Sequence, residues 1–157
     1  MFERILVCLD GSKLAEQILP YAKEEALHFN SQLTLLEVVT VPTMVAWAEE
    51  VAGAPSQTGG WTEETLHREA EEAKAYLEHI AKPLRMQGVN VVCMVVQGSP
   101  IGDAIINYAQ NNKIDLICIA THGNSGLGRV VFGSVADRVL KESGLPILVI
   151  KPQEVDD

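Results

Sequence analysis

Five short apolar runs recur along the chain: Arg4–Leu9, Gln32–Val39, Val89–Val96, Ile114–Ile119 and Pro146–Ile150. Runs this short and this continuous read as strands covered on both faces, the pattern of a parallel sheet. Between them lie stretches with apolar residues at helical spacing. The chain therefore reads β-α-β-α-β-α-β-α-β, which predicts an open five-stranded parallel sheet with helices on both faces.

The helical stretches carry their own start and stop signals. Asp10-Gly11-Ser12 ends the first run, and Ser12 suits a helix N-cap. Leu14, Ile18, Tyr21, Ala22, Ala26 and Phe29 then mark one apolar stripe. Pro20 sits inside it and is expected to kink the helix or remove one of its hydrogen bonds. Thr62 reads as the next N-cap, and Leu66, Ala70, Ala73, Leu77, Ile80 and Leu84 step along a long helix. Its many glutamates form a solvated outer face, and Pro83 is expected to bend or end it. Ser99-Pro100 reads as a cap followed by proline at the first helical position, ahead of Ile101, Ala104, Ile105 and Tyr108-Ala109. Residues 42–61 are rich in Pro, Gly, Ser, Thr and Gln and read as a long mobile connection, with one helical turn at Met44–Ala48. The whole of 1–157 is expected to form one domain.

The stretch after the fourth run carries the chemistry. Ala120-Thr121-His122-Gly123-Asn124-Ser125-Gly126-Leu127-Gly128-Arg129 leads through Val130-Val131-Phe132 to Gly133-Ser134 and the helical Val135–Leu140. A buried strand feeding a glycine loop and then a helix start is a phosphate-binding layout. Glycines let backbone N–H groups approach an anion, and a helix N-terminus adds free donors and partial positive charge. Ser134 can add a hydroxyl donor. The glycine spacing is not that of the dinucleotide fingerprint, and no Gly-Lys-Ser/Thr of a Walker loop occurs. A plain strand-to-helix turn would carry the same glycines, so the position of the loop in the fold decides.

Composition narrows the ligand. The net charge is −9, and the 12 basic residues are scattered, which excludes nucleic acid and anionic membrane as partners. A bound polyphosphate must be held by local donors or bring a metal ion such as Mg2+ with it. No apolar run approaches the roughly 20 residues of a bilayer span. The start, Met1-Phe2-Glu3-Arg4, runs straight into the first strand, so no leader is expected. Cys8, Cys93 and Cys118 each lie within an apolar run and read as core residues in a reducing cytoplasm. None of the histidines shows metal-ligand spacing, and His122 reads as packing in the loop.

A doubly wound sheet must reverse direction somewhere. Placing the strongly apolar first and fourth strands centrally gives order 3-2-1-4-5. Ligands of such sheets bind where the carboxyl ends of the strands diverge, here between Leu9-Asp10 and Ala120-Thr121. Asp10 is placed equally well to accept from a ribose or base and to close its own turn.

These residues resemble the universal stress protein family. Ile5-Leu6-Val7-Cys8-Leu9-Asp10-Gly11-Ser12 is similar to the family's start. Ala120-Thr121-His122-Gly123, Gly133-Ser134-Val135-Ala136-Asp137-Arg138-Val139-Leu140 and Pro146–Ile150 are similar to its end. The ATP-binding branch has Gly, two residues, Gly, nine residues, then Gly-Ser/Thr; Gly123 and Gly133-Ser134 match, and Ala120 replaces the first glycine. The resemblance implies a Rossmann-like fold of the adenine nucleotide alpha hydrolase type. It implies an adenine nucleotide, ATP, ADP or AMP, with adenine near Leu9, Asp10 and Val38. The phosphates would meet Gly123, Gly133, Ser134 and Val135, past Ala120; many members carry a basic residue where this chain has Asn124, and Arg129 is the candidate to replace it. It also implies a homodimer paired through Ile147, Leu148, Val149 and Ile150, an edge that would otherwise stand exposed.

Two other readings stay open. One is a slow ATPase, although the chain has no Ser-Gly-Gly pyrophosphatase loop, no His-x-Gly-His and no paired base and nucleophile. The other is a structural dimer without nucleotide, which Ala120 in place of glycine allows.

Overall fold

The computed structural model describes residues 1–40, 63–121 and 133–154. In chain order the elements are β1 (Arg4–Leu9), α1 (Lys13–Glu16), α2 (Leu19–Phe29), β2 (Gln32–Val39), α3 (Glu63–Met86), β3 (Asn90–Gln97), α4 (Ile101–Asn111), β4 (Leu116–Ala120), α5 (Ser134–Glu142) and β5 (Ile147–Ile150). The strands form one sheet in the order β3-β2-β1-β4-β5, parallel at every pairing. This is the expected open parallel sheet, with β1 and β4 at its centre.

Alternation along the strands sorts the core into two layers. Ile5, Val7, Leu33 and Leu35 face one way, against Ile18, Ala22 and Ala26 before and within α2 and Leu77, Ala81 and Leu84 of α3. Leu6, Cys8, Leu36, Ile117 and Ile119 face the other, against Ile105, Ile106 and Ala109 of α4 and Ala136 and Val139 of α5. A strand sandwiched between helices must be apolar at successive positions, which is why the runs are unbroken.

Several local expectations need correction. Pro20 does not kink a long helix. The chain turns between α1 and α2, and Pro20 occupies the first turn of α2, where its missing N–H is no loss. The break resets the helical phase, so Tyr21 is 55% exposed and leaves the stripe. Pro83 lies within α3, which runs on to Met86; Gly88, at φ +89, then reverses the chain. Ser99 does not cap α4. Pro100 is the N-cap, extended at φ −66 and ψ 155 after a cis Ser99–Pro100 bond, and the helix begins at Ile101. β4 starts at Leu116, two residues after Ile114, because Asp115 is used elsewhere. Its Oδ2 accepts the Glu3 and Arg4 amides, both at 2.9 Å, and so ties the start of β1 to that of β4. Cys93 is only half-buried, unlike Cys8 and Cys118. Asn30, at φ 54, closes α2. Thr62, the 42–61 connection and the turn at Met44–Ala48 lie outside the described residues.

Candidate functional site: the crevice between β1 and β4

The two central strands separate as they leave the sheet. β1 pairs with β4 from Ile5–Leu116 to Val7–Cys118. Beyond that, Leu9 pairs with Glu37 of β2, and Ala120 pairs with Ile150 of β5. The carboxyl ends of β1 and β4 therefore stand apart, each held by its outer neighbour. Thr121 keeps β4 on its side: its amide and Oγ1 both donate to Ile150 O, at 2.9 and 3.3 Å.

The turn after β1 is tightly built. Asp10 Oδ1 accepts the Ser12 amide at 2.9 Å, and Gly11 takes φ +81, a conformation glycine adopts without steric cost. Ser12 Oγ accepts the Ala15 amide at 3.1 Å, the expected N-cap. One Asp10 oxygen thus serves the turn.

Across the crevice, α5 begins at Gly133, whose carbonyl accepts the Asp137 amide at 2.9 Å. Gly133 is the N-cap and supplies no side-chain acceptor. The amides of the first turn, Ser134 to Ala136, have no carbonyl within the helix to bond. They are backbone donors at the positive end of the helix dipole.

A cavity of about 110 Å³ lies between these parts. Leu9 and Asp10 line one side, Ala120 and Thr121 another, and Gly133, Val135 and Ala136 a third. Leu14 and Ala15 of α1 and Ile101 and Ile105 of α4 complete a largely apolar wall. Of the residues singled out from the sequence, Leu9, Asp10, Ala120, Gly133 and Val135 meet here. Ser134 is exposed between two lining residues. Val38 lines a separate depression, with Gly11, Glu37 and Tyr76. Gly123, Arg129 and His122 lie outside the described residues. Thr121 stands where the strand end was expected, and Leu14 and Ile101 were not anticipated. The available signal was topological: every β-to-α connection of a parallel sheet opens on this same edge.

The depression beside Val38 is acidic. Glu37 Oε2 is buried without a hydrogen-bond partner; burial, and then the charge of Asp10, push its carboxyl up from the ordinary value. Tyr76 donates to Glu16 Oε1 at 3.2 Å, and Lys13 Nζ pairs with Glu16 at 2.9 Å. Among the described residues no group of His, Cys, Asp and Glu is arranged to hold a metal ion, and no helix is long and apolar enough to cross a membrane.

Comparison with known proteins identifies the type of molecule. Universal stress protein MJ0531 of Methanocaldococcus jannaschii is 31% identical over 153 residues, covering 96% of this chain and 83% of that protein. The solved structure of MJ0577, from the same organism, is 29% identical, covers 99% of both chains and superposes with a TM-score of 0.76. A universal stress protein from Arabidopsis thaliana, solved with AMP bound, shares the fold at 16% identity and a TM-score of 0.62, over 96% of this chain and 92% of that one. The family model for the universal stress protein family matches residues 1–151. With that match over nearly its whole length, the chain belongs to the universal stress protein family.

Proposed function

We propose that this protein is a stress-response regulator that binds an adenine nucleotide in the crevice between β1 and β4. The observation that carries the reading is the juxtaposition of an apolar cavity with the first turn of α5 at one mouth. The cavity suits a flat aromatic group such as a nucleobase, and the amides of Ser134, Val135 and Ala136 suit a phosphate. Asp10, with one oxygen committed to its turn, has a second to offer a ribose hydroxyl. The AMP-bound relative supports an adenine nucleotide as the ligand class. For a triphosphate, the charge of −9 favours delivery with Mg2+. Ala120 brings one methyl group to the wall where the family's motif has glycine.

Calorimetry with ATP, ADP, AMP and cAMP, each with and without Mg2+, tests this. Gly133 has φ −56 and ψ 154, a conformation open to any L residue. Gly133→Val therefore adds bulk at the cavity wall without straining the backbone. Binding to the wild type and its loss in Gly133→Val, with native circular dichroism, is the expected result. A wild type that takes up none of the nucleotides removes the reading. Sustained phosphate release from ATP would turn it towards a slow ATPase.

We also assign pairing between two copies to the β5 edge, where Ile147 to Ile150 are apolar and half-buried. Burying that edge against a second copy would satisfy its backbone groups. Leu148→Glu should convert a sedimenting dimer to monomer, and an unchanged dimer would place the interface elsewhere.

A further inference from the structure

The sheet has two outer strands, β3 and β5. β3 is the longer, and its sequence, Asn-Val-Val-Cys-Met-Val-Val-Gln, carries no charge and no proline. Val92 to Val96 are all half-buried. An uncharged, β-branched outer strand of this length is a template for adding a strand from another molecule.

The Arg85 side chain lies across it. Arg85, in the last turn of α3, donates from Nε and Nη2 to Val91 O, at 3.1 and 3.0 Å. Nη2 also lies 3.9 Å from Cys93 Sγ. Nη1 donates to Glu78 Oε2 at 2.6 Å. Glu78 sits two turns earlier on the same helix and holds the guanidinium in place. β2 fills the inner side of β3, so a side chain reaches a β3 carbonyl from the open side. The guanidinium then occupies the position that an incoming strand's N–H would need.

The arrangement adds little to stability. Arg85 and Glu78 are 41% and 47% exposed, and water screens an ion pair of that exposure. Its effect falls on what can approach the strand. β5 differs: its side-chain partner among the described hydrogen bonds is Thr121, which continues β4 and reaches Ile150 O from the inner side.

We infer that Arg85, clamped by Glu78, closes the β3 edge to strand addition by a second copy of this chain, which leaves β5 as the edge open to pairing. Cys93 is a built-in reporter, because it lies on the guarded edge and Cys8 and Cys118 are buried.

The test compares the full-length wild type with Arg85→Ala by sedimentation over a range of concentrations, and by cross-linking with a short bismaleimide. Arg85→Ala should keep native circular dichroism, form an assembly larger than that of the wild type, and give a covalent dimer that disappears in Arg85→Ala/Cys93→Ser. The wild type should give no such dimer. If Arg85→Ala is native and matches the wild type in both measurements, the inference is wrong. If Arg85→Ala unfolds, Glu78→Ala is the deciding variant: it releases the clamp while keeping the arginine, and should give the same cross-link in lower yield. Its absence there overturns the inference equally. A monomeric wild type would dispose of the β5 pairing and leave the β3 result standing.

Discussion

Gly102 of α4 lies against Arg138 of α5: a Cβ on Gly102 would lie 2.8 Å from Arg138 Cγ and 3.0 Å from its Cβ. The same arginine then reaches Asp103 at 2.9 Å and Glu142 at 3.2 Å. The contact sits beside Ile101 and Val135, both on the cavity wall. The spacing of α4 from α5 therefore also sets the width of the crevice.

Gly102→Val should force the two helices apart. Overpacking of this kind costs about 1–3 kcal/mol, to be read as a lower urea midpoint with an unchanged slope. AMP affinity should fall with it, since the first turn of α5 moves. Arg138→Ala removes exposed ion pairs and the Cγ that packs at Gly102 but leaves the helices room, and should change stability by about 1 kcal/mol.

Asp10 separates turn from ligand. Asp10→Asn keeps an oxygen for the Ser12 amide, so stability should stay close to that of the wild type. AMP binding should weaken roughly tenfold, the loss of one charge-assisted hydrogen bond. Asp10→Ala should lose both, with about 1 kcal/mol of stability gone. Paired calorimetry and urea titration distinguish the two variants.

Glu37 gives a pH dependence of defined sign. Burial and the Asp10 charge raise its pKa above 4.5. The folded protein then holds this proton at pH values where the unfolded chain has lost it. Stability from this group is full below 4.5, falls as pH rises from there through the raised value, and the deficit is complete above it. Glu37→Gln has no charge to bury, so it should be more stable than the wild type at neutral pH. The advantage should shrink as pH falls from the raised value and be gone by about 4.5. Urea midpoints across that range measure it, and a Glu37→Gln that is less stable at neutral pH would reverse the sign.

The cysteines should differ in reactivity in a fixed order. Cys93 is half-exposed, while Cys8 and Cys118 are buried. Burial, with Glu78 adding to it, pushes the Cys93 thiol up to about 11, and burial pushes Cys118 up to about 12. Only the thiolate reacts. Iodoacetamide should label Cys93 first in the native protein, at a rate still climbing above pH 9.0. Peptide mass mapping over time gives the order directly.

The sheet order was legible because burial on both faces leaves its mark on every central strand, and right-handed crossovers restrict how such strands connect. Ser12 was legible as a cap because its acceptor acts only three residues away. The misses share a cause. Whether Pro20 kinks a helix or starts one depends on where α1 stops, and Tyr21 is carried out of the stripe by that same break. Whether Ser99 or Pro100 caps α4 depends on how the chain leaves β3. The crevice was legible from Leu9, Asp10 and Ala120 at strand ends and Gly133 at a helix start. Ile101 and Leu14 entered its wall through helix packing, and single-chain periodicity does not report which helix residues face a ligand rather than the core.

The central pairing of this sheet is shorter than the two strands that make it: the register of β1 on β4 runs only from Ile5–Leu116 to Val7–Cys118, with Asp115 tying the strands below it. The molecule thus consists of two rafts, β3-β2-β1 and β4-β5, welded along their lower part and unzipped above. A guest wedged into the gap would touch both rafts at once and act as a rivet across the sheet's shortest ladder. Amide exchange should therefore slow at Cys8, Leu9 and Ile119 when the guest is present, even though the guest lies beyond the last rung that binds the rafts together.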